Sequence, residues 1–356
     1  MKGAIKWFGI IALAVVIGFS MAACDSGSPA ASGGGGPSNN DNNGPGAVWI
    51  AIPGGGGARG STFTHIGLGS VINSIAYGNG TFIAVGNGGR MARSTDNGAT
   101  WTAILAETST FPPDLPFDMI NDIAYGNGTF IAVGNGGRMA RSTDNGVTWT
   151  SISYGSLHNG IAFGNGTFIV EGGRSTNNGV DWTSSGISFT RGIAFGDGTF
   201  ISVEDNGRMA RSTDNGATWT SITNSTFPSY FPSGRINGIA YGDGTFIAVG
   251  FQGRMARSTD NGATWTAIPA GTASGASTFA SSINAIAYGN GIFIAVGLQG
   301  RMASSVDGGV TWTAIPGGTA SGTSTFFTEI NGITYGNGTF IAVGAAGRMA
   351  RKHFAP

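Results

Sequence analysis

Along most of this chain, short apolar runs alternate with glycine-rich polar turns. The stretch from Ile72 to Ile104 shows the unit: INSIAYGNGTFIAVGNGGRMARSTDNGATWTAI. It parses into four short strands, I-N-x-I-A-Y, T-F-I-A-V, R-M-A-R-S and W-T-x-I. The turns G-N-G, N-G-G and D-N-G separate them. Alternating β-branched and aromatic residues bounded by Gly and Asn predict antiparallel hairpins, because these turns need positive φ at their centre. Four strands this short suit one small sheet rather than a long sandwich strand.

The unit repeats. A Y/F-G-N/D-G element recurs seven times, beginning at Tyr77, Tyr125, Phe163, Phe195, Tyr241, Tyr288 and Tyr335. An S-T-D-N-G-x-T-W element carries Asp96, Asp144, Asp214, Asp260 and Asp307, and a degenerate copy has Asn177 instead. The matching tryptophans are Trp101, Trp149, Trp182, Trp219, Trp265 and Trp312. Residues 47–356 divide into units of about 44, the spacing of four-stranded propeller blades. The seventh unit reaches Arg351-Lys352-His353-Phe354 without a fourth strand, while Val48-Trp49-Ile50-Ala51-Ile52 matches that strand. The predicted fold is therefore all-β: a seven-bladed β-propeller of four-stranded antiparallel blades, closed by the N-terminal strand completing the last blade. Such closure removes the free sheet edge. The third unit is shortened at Glu171-Gly172-Gly173-Arg174-Ser175, so a malformed third blade is expected.

The composition fits this reading. Glycine numbers 65 of 356 residues, but it falls at fixed turn positions and so does not signal disorder. The formal net charge is zero, and without residues 1–23, which hold Lys2 and Lys6 and no acid, it becomes −2. No basic block is present to attract nucleic acid. A single cysteine allows no internal disulfide framework.

That cysteine closes a distinctive leader. Lys2 and Lys6 precede an apolar stretch, Trp7 to Phe19, that is short for a membrane span. Met21-Ala22-Ala23-Cys24 follows. This resembles the bacterial lipobox, with Met21 where Leu is usual. The resemblance implies removal of a 1–23 signal peptide and lipidation of Cys24. Residues 25–46 are Ser, Gly, Pro, Asn and Asp with little that is apolar, a composition that cannot offset its ordering entropy. A flexible tether over 24–46 is expected, with an r.m.s. reach of about 25 Å. The implied location is the bacterial cell envelope, lipid-anchored at the periplasmic face of a membrane or the cell surface.

The S-x-D-x-G-x-T-W element resembles the Asp box, or bacterial neuraminidase repeat, over the whole body. Families that carry it include sialidases, xyloglucanases, sortilin-type receptors and the photosystem II assembly factor. It implies a fold and not an activity. The five aspartates and six tryptophans are expected to be structural, the carboxylate closing its own turn and the Trp packing between sheets. No metal or cofactor is expected, since D-N-G lacks the further carboxylates a calcium site needs. Twelve arginines recur in register in the R-M-A-R-S elements, which points to pairing with a box carboxylate or an interblade carbonyl.

A sialidase's Tyr–Glu nucleophile pair has no evident counterpart, and its F/Y-R-I-P element is missing. The glutamates are Glu107, Glu171, Glu204 and Glu329. Glu107 with Asp114, or Glu204 with Asp205, is the nearest approach to a glycosidase carboxylate pair. The expectation is a non-enzymatic module, monomeric, that binds an unknown protein or glycan partner. Its binding face is the one where the copies differ: the second-to-third turns and the blade-to-blade loops. Phe117, Tyr230, Phe231, Glu204, Asp205, Phe251, Gln252 and Gln299 are the candidates there. A glycan-binding or sialidase-like hydrolase propeller and an envelope-complex assembly factor are the alternatives.

Overall fold

The computed structural model describes residues 49–52, 71–104, 119–155, 157–188, 190–205, 207–222, 235–268, 273–274, 281–315 and 329–354. The chain divides into two compact units, Met1–Asn40 and Asp41–Pro356, and the described residues all belong to the second. The signal segment, Cys24 and the 25–46 tether lie outside them. So do Phe117, Tyr230, Phe231, Glu107 and Asp114. Among the described residues no helix is long and apolar enough to cross a membrane.

Seven sheets form the body. Blade 1 runs Ile72–Gly78, Thr81–Gly86, Met91–Ser94 and Thr102–Ile104, each strand antiparallel to its neighbour. The same order repeats through blade 7. First strands of successive blades lie side by side around the ring, and that of blade 7, Ile330–Gly336, meets that of blade 1. The first strands therefore line the centre. In blade 7 the fourth place is taken by Ile50–Ala51, with Ile50 opposite Arg351 and Ala51 opposite Ala350. The protein is a closed seven-bladed β-propeller.

Blade 3 keeps four strands, Ile161–Gly164, Thr167–Val170, Gly173–Ser175 and Thr183–Ser184, so the expected malformation reduces to shortening. Tyr154 fills the gap. Its ring lies where a Cβ on Gly173 would stand, its hydroxyl donates to Gly172 O at 3.2 Å, and it packs 5.9 Å from the Trp182 ring. Blade 6 gains an unexpected fifth strand, Ala273–Ser274, parallel to Trp312–Ile315.

The core is distributed over the seven blade interfaces. At each one, the second strand of one blade and the first strand of the next enclose a separate apolar cluster. A tryptophan joins every cluster: Trp149 with Ile83 and Val85, Trp312 with Ile247 and Val249, and Trp49 with Ile294 and Val296 at the closing blade. Glycines of the Y/F-G element take the aromatic ring of the following blade flat against their Cα. Gly78 meets Tyr125, Gly126 meets Phe163, and Gly336 meets Tyr77 to complete the circle. No other residue leaves room for that approach.

Candidate functional site

The third-to-fourth turns are closed by their own side chains. In blade 5, buried Ser258 accepts the Gly262 N–H at 2.9 Å and donates to Asp260 at 2.7 Å. Asp260 in turn accepts from Thr264 N at 2.9 Å and Thr264 Oγ1 at 2.6 Å. Asp96, Asp144, Asp214 and Asp307 repeat this set. For Asp214 the hydrogen bonds from Thr218 and Ser212 draw the carboxyl down to about 2. For Asp307, burial works upward but the Thr311 and Ser305 bonds prevail, again giving about 2. In blade 3 the pair is exchanged: Asn177 accepts from Asp181 N and donates to the Asp181 carboxylate. Trp101, Trp149, Trp182, Trp265 and Trp312 each donate an indole N–H to the glycine carbonyl of their own turn, as in Trp265 to Gly262 O at 3.1 Å. Trp219 instead buries its N–H without a partner.

The repeated arginines separate into two sets. Arg141, Arg211 and Arg351 reach carbonyls of the next blade's turn, Asn178 O, Asn261 O and Asn97 O. Asparagines reinforce the same junctions, Asn127 donating to Asn178 at 2.8 Å, Asn261 to Asp197 and Asn337 to Asn97 both at 2.9 Å. The other set, Arg90, Arg138, Arg208, Arg254, Arg301 and Arg348, directly follows the second-to-third turns. These six stand on the opposite face. Arg254 and Arg301 donate to Gln252 and Gln299 of their own turns, at 3.2 and 3.1 Å. Both glutamines are exposed and sit at φ 55° and 61°, and Phe251 beside them is 44% exposed.

The same face carries the mouth of the central channel. Six first strands have a β-bulge there, at Asn73, Asn121, Arg191, Asn237, Asn284 and Asn331. A bulge re-aims its side chain, and here the asparagines staple one blade to the next. Asn73 donates to Ile120 O at 2.8 Å, Asn237 to Ile283 O at 2.8 Å, and Asn331 to Ile72 O at 2.9 Å. Asn73, Asn121 and Asn284 donate a second bond, to Asn87, Asn135 and Glu329. The channel mouth is a cavity of about 270 Å³, lined by these residues with Asn159 of blade 3, and an inner tier of isoleucines.

Two positions break the ring. Asp122 stands where other blades have Ser, Gly or Ala. It accepts from Ser74 Oγ at 2.6 Å, from its neighbour Ile123 N, and from Ile161 N of blade 3, both at 2.9 Å, so one carboxylate ties three blades. Burial pushes its pKa up, against those bonds. Arg191 replaces the asparagine of blade 4. Its Nε donates to the Asp205 carboxylate, which Arg235 also approaches at 3.6 Å. Beside them burial raises the Glu204 pKa, Arg208 opposes the rise and Glu171 adds to it. Arg191, Asp205, Arg235, Glu204 and Glu171 thus concentrate charge around blades 3 to 5.

These features sit on a fold with known relatives. Residues 152–328 match the family model of the DUF6242 beta propeller domain. No curated protein matches the sequence. Among solved structures, YCF48 bound to D1 peptide superimposes with a TM-score of 0.60 at 17% identity, over 80% of this chain and 93% of that one. YCF48 from Cyanidioschyzon merolae gives 0.61 at 17% identity, over 86% and 99%. The GH74 xyloglucanase from Xanthomonas campestris gives 0.59 at 15% identity, over 86% and 54%. At these identities the likeness is one of fold.

Of the sequence candidates, Glu204, Asp205, Phe251, Gln252 and Gln299 lie on the channel-mouth face. Glu204 and Asp205 join the charged cluster, while Phe251, Gln252 and Gln299 occupy turns of blades 5 and 6. Sequence reasoning missed Arg191, Asp122 and the asparagine ring. Their signal was present: the first strands read N, N, N, R, N, N, N at one position and S, D, G, G, G, A, G at the next. Among the described residues no group of three His, Cys, Asp or Glu side chains is placed to hold a metal ion.

Proposed function

We propose that this is a lipid-anchored cell-envelope propeller that binds an anionic protein surface through its channel-mouth face, without catalysis. One observation carries the reading. Six arginines occupy the same place in six blades on that face, whereas the acidic tight turns occupy the other. A ring of guanidinium groups suits carboxylate recognition, because each offers a planar fork of donors. The similarity in fold to YCF48, solved with a peptide, supports a peptide or protein partner. The Met21-Ala22-Ala23-Cys24 sequence supports the anchor.

The test is capture of partners from envelope membranes by the full-length protein, repeated with Arg254→Ser and Arg301→Ser together. Binding should weaken in the double variant and fall with added salt. A partner held equally by the variant, or held by the acidic-turn face, would refute the assignment. Labelling with a radioactive fatty acid should mark the wild type and leave Cys24→Ala unmarked.

A glycoside hydrolase is the second reading. It is favoured by Glu204, whose raised pKa and nearby Glu171 suit a general acid beside a second carboxylate, and by the fold likeness to a xyloglucanase. Glycan turnover by the wild type that is lost in Glu204→Gln would establish it in place of the binder.

A further inference from the structure

We infer that the channel mouth is a binding site for a small hydroxycarboxylate, whose carboxylate meets Arg191 and whose hydroxyls meet the asparagine ring. This does not rest on the partner assigned to the outer arginines.

Three observations carry it. The first is the direction of the ring's hydrogen bonding. Asn73, Asn121 and Asn284 each spend both amide hydrogens on protein acceptors, at 2.8 to 3.0 Å. An amide has only two such hydrogens, so the atom each can still offer is its carbonyl oxygen. Three acceptors on the ring, beside Asn237 and Asn331 that each donate one bond to the next blade, call for a ligand that brings donors.

The second is Arg191. Six blades place Asn in this ring and blade 4 places Arg, so the channel has one cationic wall. Its Nε is engaged by Asp205, while the planar fork has further donors. The side chain is 32% exposed, reachable from the channel yet partly desolvated. Asp122 lies in blade 2, and three of its four lone-pair sites are filled by Ser74, Ile123 and Ile161. A ligand with an anionic end and a donor-rich remainder is thereby oriented, its carboxylate toward blade 4 and its hydroxyls toward blade 2.

The third is space. The cavity of about 270 Å³ is just below the usual range for drug-sized ligands. Small residues keep it open: Gly192, Gly238 and Gly332 follow the ring residue in their blades. A Cβ on Gly238 or Gly332 would press on the neighbouring blade's backbone at 3.2 Å, so packing also demands small residues there. The chain has kept the channel wall small where the blades touch and has varied it at Arg191 and Asp122.

Calorimetric titration of the full-length protein with three matched probes tests the site. Gluconate carries both a carboxylate and hydroxyls, sorbitol the hydroxyls alone, and hexanoate the carboxylate alone. Gluconate should bind at least tenfold more tightly than either. Arg191→Asn gives blade 4 the residue of the other six, which protects the fold, and should bring gluconate down to the affinity of sorbitol. Asp205→Asn frees the guanidinium and should tighten gluconate binding. The inference is overturned if gluconate shows no saturable binding, if sorbitol matches it, or if Arg191→Asn binds it unchanged. Loss of the outer partner with Arg254 and Arg301 substituted leaves this titration unaffected, so the two assignments fail separately.

Discussion

Ser258 shows how a repeated residue is held in place. Its hydroxyl accepts a buried glycine N–H and donates to the neighbouring carboxylate, so its removal strands a buried donor. Ser258→Ala should cost about 1–3 kcal/mol in urea unfolding, the penalty for an unsatisfied buried group. Asp260→Asn should cost less, because an amide oxygen still accepts from Thr264 and the turn lies at the surface. Blade 3 already uses that solution with Asn177 and Asp181. Asp214 and Asp307 set a pH limit. Their pKa values near 2 lie below the ordinary 3.8, so the unfolded chain binds their protons first as pH falls. The stability they contribute is present above about pH 3.8 and is lost as pH falls through 2. Denaturant midpoints measured between pH 5 and pH 2 should decline in that window, and the decline should be shallower in a D214N/D307N variant.

At the scale of the strand and turn, the Y/F-G element is the most constrained. Gly242 faces the Tyr288 ring of the next blade with no room for a methyl group. Gly242→Ala should therefore push two first strands apart and destabilise by at least about 1–3 kcal/mol, the range for an overpacked site. Trp49 belongs to a different class, because its strand comes from the far end of the chain. It is 7% exposed, within the cluster of blades 6 and 7. Trp49→Ala should cost about 3–5 kcal/mol. Hydrogen exchange should quicken first in Met349–His353, the strand that Ile50 and Ala51 cover. Equal protection there in variant and wild type would mean that closure depends little on this side chain. The elements were largely legible beforehand. Strand period, turn residues and the matching end strand all follow from local patterns. The fifth strand of blade 6 was not, since Ala273-Ser274 carries no strand signal and pairs only because an edge is available. Blade 3 was misjudged because its missing residues are replaced by Tyr154, a residue outside the repeat.

For the whole molecule, the repeat determines a ring and the departures from the repeat determine its chemistry. Seven nearly equal interfaces carry the stability, so no single blade holds a separate core. The two faces differ: acidic tight turns on one, arginines and the channel mouth on the other. By itself the sequence determined the fold class, the blade count and the closure, because each rests on side-chain periodicity and turn chemistry that act over a few residues. Only the tertiary structure decided that Asn73, Asn121, Asn237, Asn284 and Asn331 staple neighbouring blades at the channel mouth. It also decided that Asp122 joins three blades and that Arg191, in the channel wall, meets Asp205. Those residues are 14 to 259 positions from their partners. The contact of Arg191 forms within its own blade, those of Asp122 need blades 1 to 3 to dock, and that of Asn331 with Ile72 needs the ring to close; no local pattern encodes which distant strands will share a wall.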